Sequence, residues 1–425
     1  LFFHFICKSN LDRMPTTTYI YLFGDGEPKI WGLTGQERLR RMFNAQTNVT
    51  FIDNVDKIPS GAATLFLNAN FLFDGRVLNA LLGLDKKVAL YSVDGCPAAI
   101  RSDGDYAQQL LRNLDKDKDH NYKFALLTIP RISLDDLQID FQQNLKKKDP
   151  PYILPISEIN RTLLERELFS GSYKGVTDFI TKWLWPEPAF WVTHYCVRKG
   201  WSPNHVTYLS IVLAVTAGLA FWGGFYGIGL LMAWFMTFLD TVDGKLARVT
   251  VTSSRLGDVL DHGLDIIHPP LWYLAWGAGL IGTAEAIPGF EILIFLMFVG
   301  YIGGRLCEGV FQFSLASFDI FIWRRLDSFN RLITARRNPN LLLLTFSWLI
   351  GQPALGLALV VVWHLISTGV LIWRLMIAWL TKHKEGTLRS WLQDIDPARD
   401  RDQWAVKIFT RAPLDIRSLS TKSLH

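Results

Sequence analysis

The sequence predicts a soluble α/β domain followed by an all-α membrane domain of six transmembrane helices. Three observations carry this. Hydrophobic residues make up 49% of the 425, with 16 Trp and 28 Phe, but they are unevenly spread: the first 170 residues look soluble and the rest does not. Strand-like and helix-like runs alternate before residue 170, the pattern of a mostly parallel, doubly wound sheet. Apolar runs of membrane-spanning grade recur after residue 200.

The elements follow in order. The chain begins LFFHFICKSNLDR; Met14 is a candidate start, and residues 1–14 read as an upstream artefact or a disordered lead. The apolar run Leu1–Cys7 is too short to span a bilayer and lacks the flanks of a secretory signal. Within 15–170, strands are expected at Tyr19–Phe23, Ala63–Leu67, Val88–Val93 and Lys123–Ile129, and helices at Gly35–Phe43, Asp74–Leu82 and Asp105–Asp115. The run KKKDPP at Lys146–Pro151 reads as a solvated turn or linker. Residues 171–200 mix Trp183, Trp185, Phe190, Trp191 and Tyr195 with Lys174, Lys182 and His194, an interfacial composition.

Residues 201–385 hold the six expected spans, at about 205–225, 227–247, 257–281, 289–312, 335–351 and 353–381. Ser202 and Pro203 suit the start of the first. The fifth has a short apolar run, Leu341–Ile350. Lys and Arg fall in alternate loops: Lys245, Arg248 and Arg255; then Arg324 to Arg337; then Lys382, Lys384 and Arg389. This places both termini on the cytoplasmic side of a bacterial inner or organellar membrane. Residues 386–425 read as a polar tail.

Between the second and third spans lies D-T-V-D-G-K-L-A-R-V-T-V-T-S-S-R-L-G-D-V-L-D-H-G-L-D, from Asp240 to Asp265. Acids beside hydrocarbon are costly and mark function by default. Asp240 and Asp243 are three apart, Asp261 and Asp265 four apart, so each pair shares one helix face. Carboxylates gathered at one point repel, and a bound cation resolves this. All-oxygen ligation suits Mg²⁺, Mn²⁺ or Ca²⁺ rather than zinc, and Mg²⁺ or Mn²⁺, one or two ions with substrate phosphates completing the shell, is the expectation. Gly244 and Ala247 leave room for a ligand, and Arg248 one turn on can pair with phosphate. His262 and His268 flank Asp265 and are read as satisfied side chains rather than ligands.

This string resembles the signature of CDP-alcohol phosphotransferases, D-x2-D-G-x2-A-R-x8-G-x3-D-x3-D, at Asp240, Asp243, Gly244, Ala247, Arg248, Gly257, Asp261 and Asp265. The resemblance implies an integral membrane enzyme of phospholipid biosynthesis. It would move a substituted phosphate from a CDP-linked alcohol or CDP-diacylglycerol to an acceptor alcohol and release CMP. Asp240, Asp243, Asp261 and Asp265 would hold the metal, with Asp265 the catalytic base. Gly244, Ala247, Arg248 and Gly257 would frame the CDP moiety. Asn204 and Thr207, in the P-N-x-V-T run of the first span, would line the same site. Arg255, Arg331, Arg336 and Arg337 are candidates for an acceptor phosphate. The stretch G-L-T-G-Q-E-R-L-R-R (Gly32–Arg41) resembles, more faintly, the start of GT-A nucleotidyltransferase-like domains. It lacks their glycine density and lysine, and Asp94, Asp103 and Asp105 are only loose metal candidates, so the expectation is a degenerate domain.

The net charge of +5 is modest and nothing points to nucleic acid. Cys7, Cys96, Cys196 and Cys307 form no CxxC pair, which argues against a disulfide framework. A lipid bilayer is the expected setting, and a homodimer is compatible with the sequence. Two rival functions stay open: a bifunctional enzyme whose N-terminal domain makes the CDP-alcohol, and a non-catalytic membrane scaffold.

Overall fold

The computed structural model describes residues 17–54, 57–92, 95–106, 129–137, 139, 141–143, 145–253, 255–396 and 399–411; the side chains of residues 255–262 are outside that description. The described chain divides into two compact units: one within 17–139 and 150–165, the other within 141–149 and 166–411.

In the first unit, strands β1 (Thr18–Phe23), β2 (Val49–Ile52) and β3 (Ala63–Asn68) lie parallel, with β1 in the middle. Strand β4 (Phe71–Phe73) follows β3 directly and stands in a separate pair. Beyond β3 the sheet continues through β6 (Pro97–Asp103) and β5 (Val88–Tyr91) to β7 (Arg131–Ile132). Here the structure corrects the sequence: β6 runs antiparallel to both β3 and β5, so the sheet is mixed. The expected strand at Lys123–Ile129 and most of the helix at Asp105–Asp115 fall outside the described residues, as does Asp94.

Side chains of β3 alternate between two cores. Leu65 and Leu67 join Ile20, Leu39, Val77 and Leu90, while Phe66 joins Ile58, Ala89 and Ile100. Burial on both faces explains why the strand reads as one apolar run. Helix α1 (Gly35–Phe43) opens with a capping box, Thr34 Oγ1 accepting from the Glu37 amide and Glu37 Oε2 from the Thr34 amide. Helix α2 (Gly75–Leu82) is capped by Asp74. Helix α3 (Arg161–Gly171) closes the soluble stretch.

The second unit is helical. Helix α4 (Pro186–Arg198) precedes α5 (Pro203–Trp222), α6 (Tyr226–Val249), α7 (Arg255–Ala278) and α8 (Phe290–Val310). After a short helix α9 (Arg325–Ile333) come α10 (Arg337–Leu349) and α11 (Pro353–Glu385). Helices thus occupy every expected span. Among the described residues three segments are long and apolar enough to cross a membrane: Pro203–Trp222, Phe290–Leu315 and Pro353–Glu385. The expected fifth span is the clearest departure, because α10 has 13 residues. At about 1.5 Å per residue it covers roughly 20 Å, short of a hydrocarbon core of about 30 Å. The central core joins Phe221, Met236, Trp272, Trp276, Met297 and Leu344, and its two buried indoles are satisfied: Trp272 Nε1 donates to Ala214 O at 2.8 Å and Trp276 Nε1 to Pro353 O at 2.9 Å.

Two readings need correction. The KKKDPP run is not a solvated turn. Strands β8 (Phe141–Gln142) and β9 (Lys147–Lys148) make a hairpin that belongs to the helical unit. Lys146 pairs with Asp319 at 2.5 Å, Lys147 Nζ donates to Gly171 O at 2.6 Å, and Lys148 Nζ donates to Ile395 O at 2.6 Å. Strand β10 (Ile153–Pro155) then returns to pair with β4. The tail is not uniformly polar either. Helices α12 (Trp391–Asp394) and α13 (Trp404–Phe409) place Trp391, Leu392, Val406 and Phe409 in a second core with Phe311 and Trp323. Among the described residues the cysteines Cys96, Cys196 and Cys307 are free thiols.

Candidate functional site

The acidic motif is held by two helices. Helix α6 runs without interruption through Asp240, Asp243, Gly244, Ala247 and Arg248. The chain then turns at Val251, whose φ is 51°, and α7 carries Gly257, Asp261 and Asp265. The side chains of Arg255, Gly257, Asp261 and His262 lie outside the described residues, so those assignments rest on their helix position.

Asp240 and Asp265 meet at one cation. Arg337, the first residue of α10, donates Nη2 to Asp240 Oδ2 at 2.5 Å and Nη1 to Asp265 Oδ1 at 2.7 Å. Both carboxylates are therefore within reach of a single positive group. Asp243 is buried, and its Oδ2 accepts from Thr207 Oγ1 at 2.7 Å. The sequence placed Thr207 against the nucleotide; the structure places it on a candidate metal ligand, from a helix that also accepts back at Pro203 O, 3.1 Å away. Asn204 is exposed at the same helix start.

Gly244 and Arg248 share a face. A Cβ at Gly244 would meet little except the Arg248 guanidinium, 3.6 Å away. Arg248 Nη1 donates to Ser172 O at 3.3 Å, and buried Lys245 donates to the same carbonyl at 3.1 Å while its Nζ sits 3.4 Å from the Tyr173 ring centre. These two cations tie the motif helix to the segment ahead of α4. His268 directs Nδ1 at Leu264 O, 2.7 Å away, and packs on Trp272.

The other arginines separate. Arg336 pairs with Glu308, not with the acids of the motif. Together with Tyr301, Arg305, His364 and Thr368 they line a polar pocket between α8 and α11. Tyr301 OH donates to Ile266 O at 2.8 Å, which ties this lining residue to the helix position after Asp265. Arg331 stacks over Phe321 at 5.4 Å, and its Nε and Nη1 are buried without a hydrogen-bond partner. Sequence reasoning missed Arg305, Glu308 and His364. The signal was present: each is ionisable within an apolar run, the criterion that found the aspartates.

The residues fit a divalent ion in donor chemistry: all carboxylate oxygens, from two helices, already converging on one positive charge. Among the described residues no three Asp, Glu, His or Cys side chains gather closely enough to hold a metal by themselves. Asp261 would have to supply part of the set.

In the first unit the Gly32–Arg41 glycine loop closes against the chain's own turn at Gly24–Gly26. The Gly26 amide donates to Asn70 Oδ1 at 2.8 Å, the Gly35 amide to Gly26 O at 2.8 Å, and Gln36 Nε2 to Gly24 O at 2.7 Å. A Cβ at Gly35 would fall 1.9 Å from Ala69 O, so this glycine serves a close backbone approach. Asp103 pairs with Lys87, and Asp105 Oδ2 accepts from the Gly61 amide at 3.3 Å.

Comparison with known proteins covers the motif region. Residues 201–319 match the model of the CDP-alcohol phosphatidyltransferase family. A phosphatidylinositol phosphate synthase of Streptomyces avermitilis is 33% identical over 118 residues, 26% of this chain and 46% of that protein. Choline/ethanolaminephosphotransferase 1 of Arabidopsis thaliana is 34% identical over 104 residues, 21% of this chain and 26% of that protein. A phosphatidylinositol phosphate synthase of Mycobacteroides abscessus is 26% identical over 122 residues, 26% of this chain and 52% of that protein. The chain thus spans about half or less of the curated relatives it matches. Residues 201–319, with the eight signature positions between Asp240 and Asp265, are a CDP-alcohol phosphatidyltransferase domain.

Proposed function

We propose that this protein is an integral membrane phosphotransferase of phospholipid biosynthesis. It moves a substituted phosphate from a CDP-linked alcohol or CDP-diacylglycerol to an acceptor hydroxyl and releases CMP. The observation that carries the reading is the convergence of Asp240 and Asp265, from two helices, on one positive group within the matched region.

Asp240, Asp243, Asp261 and Asp265 would hold Mg²⁺ or Mn²⁺, which supplies charge neutralisation at the diphosphate and stabilises leaving CMP. Thr207 fixes the rotamer of Asp243. Gly244 keeps the face beside Arg248 clear for the CDP phosphates, where the guanidinium can pair with them. Asp265 takes the proton of the acceptor hydroxyl. The acceptor oxygen forms its bond to the phosphorus next to the alcohol or lipid, and the P–O bond to CMP breaks. A base beside cations gains from position more than from basicity. Arg336, with Arg305 beside it on the same polar lining, is offered to the phosphate of a phosphorylated acceptor.

The six helices span the membrane with α10 partly sheltered by its neighbours, and loop charge puts the acidic site and both termini on the cytoplasmic side. The glycine loop closed by its own chain favours a non-catalytic N-terminal domain over an active cytidylyltransferase.

The test is CMP release by purified protein in detergent. CDP-diacylglycerol is offered with a panel of alcohols and alcohol phosphates, then CDP-choline and CDP-ethanolamine with diacylglycerol, each with and without Mg²⁺ or Mn²⁺. The expected result is metal-dependent release with one pair, abolished by Asp240→Asn. Silence of folded protein across both panels refutes the reading.

A further inference from the structure

We propose that Arg337 is a tethered counter-ion that competes with the divalent ion for Asp240 and Asp265. The inference rests on the reading of those acids as metal ligands. Its basis is the two-pronged contact already described: one guanidinium donates to a carboxylate of α6 and to a carboxylate of α7, at 2.5 and 2.7 Å.

The guanidinium sits between the two carboxylates and already neutralises them, the position and charge that an ion bridging the same oxygens would need. Loading an ion through them therefore requires the arginine to withdraw. The surroundings suit withdrawal of the side chain without movement of the helix. The backbone at the start of α10 is pinned on both sides: the Ala335 amide donates to Ser367 Oγ at 3.0 Å, and Asn338 Nδ2 donates to Asp178 Oδ1 at 3.0 Å. Beyond the two acids, Nη1 also reaches Met236 Sδ at 3.8 Å, a weak acceptor that adds little to the hold of the carboxylates. Arg337 thus has a fixed root and a movable head.

The neighbouring arginine shows that the placement is specific to position 337. Arg336, one residue earlier, pairs with Glu308 instead. The arginine keeps two partly buried carboxylates from facing each other uncompensated, a situation that is costly. It also sets a threshold: an ion must displace a bound charge rather than enter bare acids. Two linked equilibria of this kind commonly differ by a factor of about 5–150.

The experiment is a Mn²⁺ titration of the full-length protein in detergent, by calorimetry, with thermal stability followed in parallel. The proteins are wild type, Arg337→Gln, Arg337→Lys and, as a control, Arg336→Gln. Arg337→Gln is expected to bind Mn²⁺ roughly tenfold more tightly than wild type. It should melt lower without Mn²⁺ and gain more from Mn²⁺ than wild type does. Arg337→Lys, which keeps a charge but loses the fork, should fall between, and it serves if Arg337→Gln fails to fold. Arg336→Gln should match wild type in Mn²⁺ affinity. Equal or weaker Mn²⁺ binding by the Arg337 variants overturns the competition while leaving the metal site intact. An absence of Mn²⁺ binding in all four proteins overturns the metal reading itself, and the competition with it.

Discussion

Thr207 makes two hydrogen bonds, one to its own helix and one to Asp243. Partners that orient a metal ligand are typically worth 10–100-fold in affinity or activity. Thr207→Val keeps the shape and removes the donor, so CMP release should fall about 10–100-fold while the melting point of the protein changes little. Thr207→Ser should retain most of the rate. A different kind of buried charge lies away from the site. Asp327 and Arg374 form a two-pronged pair at 2.6 and 2.9 Å, with side chains 3% and 9% exposed. Removing one partner of such a pair costs about 3–5 kcal/mol. Asp327→Asn should therefore lower the denaturation midpoint strongly, and Asp327→Leu combined with Arg374→Met should recover much of it. At this scale the sequence was informative wherever chemistry is unusual for its setting. Four aspartates stand out beside apolar runs, and two of them, Asp240 and Asp265, meet at one arginine. The partner of Asp240 and Asp265 could not be read from the sequence, because Arg337 lies about 70 positions beyond Asp265 and counts, by composition, as one more loop cation.

The elements show what local pattern does and does not encode. Apolar runs and helical patterning located β1, β3, α1 and α2 well, since what each buries is set by its own residues. Strand direction is a property of the pair, so the antiparallel entry of β6 was not legible. The length of α10 was legible as a short apolar run, but not its consequence. The hairpin of β8 and β9 is the sharpest failure: three lysines in a row look solvated until Asp319 and the carbonyls of Gly171 and Ile395 are in place. Burial disfavours the charge of Asp319, yet the attraction and hydrogen bond of Lys146, with the Phe321 amide and Arg331, hold its carboxyl below the ordinary 3.8. A lowered folded pKa stabilises above the ordinary value and loses that contribution as pH falls through the folded one. The stability advantage of wild type over Asp319→Asn should be complete above pH 3.8 and shrink below it, as followed by denaturation in detergent across pH.

Across the whole molecule, the two units carry different kinds of site. The helical unit gathers ionisable groups where they are costly, which is the mark of chemistry. The first unit closes its glycine loop on its own turn at Gly24–Gly26. The full chain given CTP and an alcohol phosphate should therefore release no pyrophosphate above background, under conditions where CMP release from the CDP-linked donor is measurable. Pyrophosphate release would restore the bifunctional reading.

The hairpin has one more consequence, for how the protein meets a protease. A run of three lysines is ordinarily an inviting place for trypsin, which must draw a lysine side chain into its own pocket. Here each ammonium group is already engaged: Lys146 by Asp319, Lys147 by Asp149 and the Gly171 carbonyl, and Lys148 by the Ile395 carbonyl. Cleavage at Lys146–Lys148 then has to wait until those anchors open. The rate of nicking at this site becomes a clock for loosening of the helical unit, readable on a gel without substrate, metal or membrane.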